Sequence, residues 1–321
     1  MNHALRSVFT AIVCAFLACA ANAEGYPSRV VTLIVPFAPG GPTDLMGRTI
    51  ADGLSKEFGQ AVIVENKPGA TGIVGLGALE RSAADGHTLL LLPSSTAVAH
   101  VAQKKPFQLS QQATPLGNIL TQSAFIFVNP KVIDVTSLQE LVAYLRKNPG
   151  TGYTSSGAGS PSHLHTQAWA DGLGLELTHV AYRGIAPAVM DVIGGRVPLI
   201  LSTLTSIKPY IEDGSIRAIA ALSPERQAYL PNVKTSTEQG FPDFRVPVYV
   251  GIAVTAGTPE PIVLRLRAAL KRIVEGDAYR KVFDGSDGIP EYIDGPKWGA
   301  LIQDSYDSAA KIARERNLTF Q

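Results

Sequence analysis

The sequence predicts an α/β protein of two lobes, each built on a mainly parallel sheet with helices on both faces. Three observations predict it. Short apolar segments alternate with helical patterns along the chain after residue 30, as parallel strands joined by crossover helices do. Two strand-to-helix junctions of one design, at 32–44 and 152–163, each turn through a glycine-rich, hydroxyl-bearing, uncharged loop. Two apolar strands, 124–128 and 248–254, stand where the chain crosses between lobes, near 125–129 and 246–251.

Residues 1–23 read as an export signal peptide. Arg6 precedes the apolar stretch Val8 to Ala20, and Ala21, Asn22 and Ala23 form a small-residue cleavage site before Glu24. The stretch is short for a bilayer span, and no later run approaches the ~18 apolar residues that one needs. A soluble, periplasmic protein is expected. Both cysteines, Cys14 and Cys19, lie in the leader, so the mature chain is expected to lack disulfides, thiolate nucleophiles and cysteine-ligated metals. Phe16, Leu17 and Ala18 make an imperfect approach to an acylated Cys19, which argues against a lipid anchor. Lys and Arg number 28 against 27 Asp and Glu; the leader holds Arg6 and no acid, so the mature chain balances to zero. Nucleic-acid binding needs a basic footprint, and none is expected here.

The first lobe is expected over 24–126 and 249–321. Its strand at Thr32 to Phe37 leads into helix 43–58, where Met46, Ile50, Leu54 and Phe58 recur every four residues until Gly59 stops it. Strand 61–65 precedes the glycine-rich loop Lys67 to Gly72 and a helix to about Ala83. Asp85 and Gly86 then turn into the buried-looking strand Thr88 to Leu92. The loops after Phe37, Val64 and Leu92, the last being Pro93, Ser94, Ser95 and Thr96, converge on the strand-end rim where ligands of such sheets sit. The second lobe, 127–248, alternates helix 137–147, strand 151–154, helix 161–172, strand 177–181, helix 185–194, strand 197–201, helix 205–213 and strand 216–221. Val263, Leu266, Leu270, Ile273 and Val274 then stripe an amphipathic helix in a segment that returns to the first lobe. A cleft between lobes follows, a preferred place for a small-molecule site.

Each junction offers unpaired N–H groups at a helix N-terminus, with the positive end of the dipole behind them. One small anion gripped between lobes by backbone and hydroxyl groups is the expected ligand. Enzyme signatures fail: Gly159 and Ser160 share a loop without the flanks of a hydrolase elbow, and neither junction has the lysine of a phosphate loop. Gly72, Gly75 and Gly77 lie in or beside a helix and suit its close packing better than a dinucleotide. His163 and His165, two apart on a helix, point about 200° from each other and cannot share a metal. His163 sits where it donates to a ligand or braces the loop; His87, His100 and His179 are isolated and expected to be structural. With no close carboxylate pair, the chain shows binding chemistry, no catalytic set, no metal site and no cofactor.

Tyr26-Pro27, Val35 to Asp44 (VPFAPGGPTD), Gly59 to Gly75 (GQAVIVENKPGATGIVG), Ala84 to Leu89 (ADGHTL), Ser155 to Leu164 (SSGAGSPSHL) and Tyr182 to Gly184 (YRG) resemble the Bug, or TctC-like, family. The resemblance runs on through Gly194 to Val197, Leu230 to Val233 and Gly257 to Pro259, covering essentially the mature chain. These are periplasmic solute-binding receptors of tripartite tricarboxylate transporters. The resemblance implies a type II, Venus-flytrap fold that closes on a carboxylate held between the two loops, partly through ordered water. The candidate ligand contacts are Phe37, Ala38, Pro39, Gly40, Gly41, Thr43 and Asp44, then Ser94 and Ser95, then Ser155, Gly157, Gly159, Ser160 and His163, and finally Tyr182, Ser202 and Thr203. Asp44 is the odd member, since an acid repels an anion; capping helix 43–58 or ordering the loop suits it better.

Departures from the family pattern bear on the ligand. Ile73 stands where Asn is common, His87 where Tyr follows Asp-Gly, and hydroxyls near Ser202 and Thr203 where many members carry an aspartate. A ligand ammonium has little to pair with, so a mono-, di- or tricarboxylate is favoured over an amino acid. The implied partners are this small carboxylate and either transporter membrane subunits or a sensor protein, with the receptor a monomer. An exported hydrolase and a structural or adhesion protein are the competing functions.

Overall fold

The computed structural model describes residues 25–182, 184–283 and 288–315. The expected signal peptide, with Cys14 and Cys19, lies outside them. In chain order the elements are β1 (Val31–Val35), α1 (Pro42–Phe58), β2 (Val62–Asn66), α2 (Ile73–Glu80), β3 (Thr88–Pro93), α3 (Ser94–Ala102), α4 (Leu109–Gln112) and β4 (Ala113–Val128). There follow α5 (Leu138–Lys147), β5 (Thr151–Ser155), α6 (Pro161–Gly172), β6 (Leu177–Ala181), α7 (Ile185–Ile193), β7 (Leu199–Thr203), α8 (Lys208–Glu212) and β8 (Arg217–Ala221). The chain ends with β9 (Pro247–Thr255), α9 (Glu260–Glu275), α10 (Asp277–Val282), β10 (Gly288–Ile289) and α11 (Gly295–Glu315).

The strands run in the order β2-β1-β3-β9-β4-β7-β5-β6, with β8 and β10 also paired to β4. The expected two-lobed α/β fold is present, and its sheets are mixed. The parallel pairs are β1 with β2 and β3, and β5 with β6 and β7. The long strands β4 and β9 run against their neighbours because they carry the chain between lobes. The first half of β4, to Ser123, pairs with β9, while Ala124 to Val128 pairs with β7 and β8. One strand of 16 residues thus belongs to both sheets. Sequence patterning finds only its second half, since Pro115, Gly117 and Asn118 read as strand breakers. The structure accommodates them with register shifts between Pro115 and Gly117 and between Asn118 and Leu120.

Both faces of each sheet are covered, which the period of two makes possible. Leu89 and Leu91 face a core shared with α1 and α9, while Leu90 and Leu92 face one shared with α2 and α11. In the second lobe Ile126 and Val128 point to one core and Phe125 and Phe127 to the other. Each such side chain, fully buried, contributes about 1.5–3 kcal/mol. Val98 and Val101 of α3, Leu164 of α6 and Ala309 of α11 form a further cluster that bridges the lobes.

Three expectations change. The Pro93 to Thr96 segment is not a loop: Ser94 opens α3, whose Ala97, Val98 and Val101 supply a buried helical stripe. The serine-rich start reads as a turn because hydroxyl residues favour both turns and first helical turns. Helix 205–213 divides into a 3-10 turn at Leu204–Ser206 and α8, because Pro209 has no N–H for a continuous ladder. The helix expected up to Ala83 ends at Glu80 and is preceded by a left-handed segment: Gly69, Ala70, Thr71 and Gly72 all have positive φ.

Candidate functional site

The first junction runs from β1 into α1, with Gly41 as N-cap and Pro42 opening the helix. Its order comes from Asp44. One oxygen of that buried carboxylate accepts from the Gly40 N–H at 3.0 Å and from Arg48 Nε at 2.9 Å; the other accepts from Asn66 Nδ2 at 2.9 Å. Asn66 also donates to the Phe37 carbonyl at 3.0 Å. The Arg48 donor first, then the Gly40 N–H, holds the Asp44 carboxyl down at about 2, well below the ordinary 3.8. Gly40 has φ 84° with open space around it, so the turn itself requires glycine. Asp44 therefore orders the loop, and it uses the Gly40 N–H in doing so. Ala38, Pro39 and Gly40 are exposed at the lobe surface; Phe37, Gly41 and Thr43 are half-buried.

The two neighbouring rim loops pack tightly on each other. Thr96 donates to the Thr71 carbonyl at 3.0 Å, and a Cβ on Gly72 would lie 2.3 Å from the Thr96 hydroxyl. Ser94 accepts from the Tyr249 N–H at 3.3 Å, which ties α3 to β9.

The second junction runs from β5 into α6. Ser160 is its N-cap, accepting from the His163 N–H at 3.4 Å, with Ser162 Oγ 3.1 Å away and Pro161 next in the helix. His163 Nδ1 accepts from the Gly159 N–H at 3.0 Å, at a glycine with φ 75°. The imidazole stacks on His179, ring centres 3.8 Å apart. Burial first, and then His179, pushes His163 down to about 4. Ser155 sits 2.7 Å from His179 Nε2, and its hydroxyl also meets the backbone of Gly157. Tyr182 closes this side: its N–H donates to the Ser155 carbonyl at 3.3 Å, and its hydroxyl donates to Asp191, which also pairs with Arg196. His163 thus braces the loop. His179 joins it through the β5–β6 register, which places Tyr153 opposite His179; nothing in its isolated sequence position signals that. His87 and His100 hold backbone contacts, with Ser28 and Asp85 and with Thr96 respectively.

A cavity of about 190 Å³ opens between the lobes where these elements meet. Hydroxyls surround it: Ser95 from α3, Ser156 and Ser162 from the second junction, and Ser202 and Thr203 from the end of β7. Ile185, Leu201, Val246 and Val248 supply its apolar walls, and among the described residues no charged side chain lines it. Of the expected contacts, Ser95, Ser202 and Thr203 are brought together here. Ser155, Gly157, Gly159, Ser160 and His163 shape the adjoining loop without lining the cavity, and Tyr182 faces Asp191. Phe37 to Asp44 lies on the first-lobe rim outside the lining, and Ser94 faces a neighbouring cavity. Ser156 and Ser162 are legible within the second loop motif; Val248 of β9, and Val246 just before that strand, arrive only through the crossing between lobes. No group of three or more metal-ligating side chains occurs among the described residues. No helix among them is long and apolar enough to cross a membrane.

The chain is similar to known proteins over nearly its whole length. BugT of Bordetella pertussis is 30% identical over 98% of this chain and 98% of its own. A solved periplasmic transporter structure matches with TM-score 0.80 at 33% identity, covering 92% of this chain and 100% of that one. Two Rhodopseudomonas palustris structures follow. Rpa4515 with adipate has TM-score 0.79 at 27% identity over 92% and 100% of the two chains, and MatC with bound malate has 0.75 at 27% over 89% and 99%. The profile of the tripartite tricarboxylate transporter family receptor matches residues 46–318. The chain belongs to this family of non-enzymatic periplasmic solute-binding proteins.

Proposed function

We propose that the protein is a periplasmic receptor, exported by residues 1–23, that captures a small carboxylate between lobes 24–126 plus 249–321 and 127–248. It acts as a monomer and delivers the ligand to the membrane subunits of a tripartite tricarboxylate transporter. The hydroxyl-lined inter-lobe cavity is the observation that carries this reading. Hydroxyl and backbone donors satisfy a desolvated carboxylate, each charge-assisted bond contributing about 1.5–3 kcal/mol. The N-terminus of α6 behind them favours negative charge. The loop from Phe37 to Thr43 faces the same rim and meets the anion as the lobes close. Adipate and malate in the two Rhodopseudomonas structures support the ligand class. Among the described residues no acid lines this inter-lobe cavity, which favours such acids over amino acids.

Calorimetry with carboxylates and their amides tests this. The acids are expected to bind at micromolar or tighter affinity and the amides at least tenfold more weakly, about 1.4 kcal/mol. Ser202→Ala should weaken the acids by a comparable factor without lowering unliganded stability. Equal affinity for an acid and its amide would overturn the reading.

A further inference from the structure

A neighbouring cavity adjoins the inter-lobe cavity at Ser95 and Pro161. Those residues, with Val246 and Val248, also line this second cavity of about 250 Å³ between α3, α6, the start of β9 and α11. His165 and Arg245 are shared in turn with a third cavity of about 340 Å³ walled by Trp169, Phe241 and Phe244. One face of α6 runs along all three: Pro161, His165, Trp169 and Gly172 recur at helical spacing. Pro161 and His165 are one turn apart, about 6 Å. That is about the distance between the two acid groups of adipate.

The Arg245 backbone is held at this junction by its neighbour, and its side chain is exposed. Val246 is buried, donates to the Leu222 carbonyl at 3.0 Å and accepts from the Ala124 N–H at 3.4 Å, where β4 passes between sheets. The Arg245 guanidinium makes no hydrogen bond or ion pair with any described residue. Asp304 of α11 lines the second cavity, with Ser305 and Ser308, and is not paired with it. Asp304 alone would repel an anion; the arginine offsets that charge and offers a planar pair of donors matched to a carboxylate.

We propose that the ligand site extends into the second cavity, where Arg245 receives the distal acid group of an elongated diacid whose first acid group lies on the hydroxyl rim. This rests on the carboxylate-receptor reading and adds the residue that selects diacids over monoacids. Calorimetry with adipate, adipic acid monoamide and hexanoate tests it on the whole protein. Adipate is expected to bind at least tenfold more tightly than the other two. Arg245→Gln should bring adipate down to the level of hexanoate, leaving hexanoate affinity and unliganded melting unchanged, while Arg245→Lys keeps part of the preference. Equal affinity of the unaltered protein for adipate and hexanoate would overturn the assignment and leave the carboxylate reading standing. So would an Arg245→Gln protein that keeps the preference or weakens all three equally. Failure to bind any carboxylate, malate included, would instead overturn the receptor reading, and this assignment with it.

Discussion

Protonating His163 would remove the acceptor to which Gly159 donates. The folded protein holds this imidazole neutral, at about 4 against an ordinary 6.5, by burial and by the adjacent His179. The unfolded chain therefore takes up the proton first. The stability this group contributes is present above pH 6.5 and is lost as pH falls towards 4. The loss should be about 1–2 kcal/mol, allowing for residual solvent around the pair. Urea unfolding at neutral pH and near pH 4.5 reads it, and His163→Gln should show the shallower pH dependence. Coincident pH profiles would refute the bracing role. Asp44 has its window lower: its folded value near 2 lies below the ordinary 3.8, so its contribution is complete above about pH 4 and disappears towards pH 2. Asp44→Ala leaves the Gly40 N–H and the Asn66 amide without this acceptor and should cost about 1–3 kcal/mol at neutral pH. Unchanged urea midpoints would contradict the hydrogen-bond pattern.

Among the elements, β9 has no room for a side chain at Gly251. A Cβ on Gly251 would lie 2.4 Å from the Gly117 carbonyl oxygen and 2.4 Å from the Trp298 ring. The oxygen belongs to the backbone of the paired strand β4, so it cannot swing aside. Gly251→Ala is expected to destabilise by about 1–3 kcal/mol or more, measured by thermal unfolding. A variant as stable as the parent would show that β4 and β9 yield more than their pairing suggests. The strands that alternate with helices were legible because Leu33, Leu89 to Leu92 and Ile200 stand in short apolar runs bounded by turn residues. The first half of β4 was not, since its pairing with β9 tolerates Pro115 and Gly117 through bulges that only the partner strand reveals. The helical start at Ser94 is not legible, because a serine-rich first turn resembles a loop when the buried contacts of Val98 are unseen.

At the scale of the molecule, the hydroxyl rim was partly legible: Ser156 and Ser162 belong to one continuous motif, and Ser202 and Thr203 close a strand. Their meeting with Ser95 depends on the lobes' mutual placement, which no local pattern carries. Arg245 was invisible for the same reason, being an ordinary charged residue until the crossing strand sets it beside α6. The loop Phe37 to Thr43 was legible as a glycine turn, yet the use of the Gly40 N–H by Asp44 required Asn66 and Arg48 to be seen around it.

The strand common to both sheets has a thermodynamic consequence. Pulling Ala113 to Val128 away from either set of neighbours strips hydrogen bonds from the other, so neither half has a melting point of its own. Scanning calorimetry should record one heat-absorption peak, with calorimetric and van't Hoff enthalpies in agreement. Two resolved peaks would show that the halves come apart independently. Cooperativity of this kind also means that a gene cut between the halves would release two fragments, each with a raw sheet edge open to aggregation.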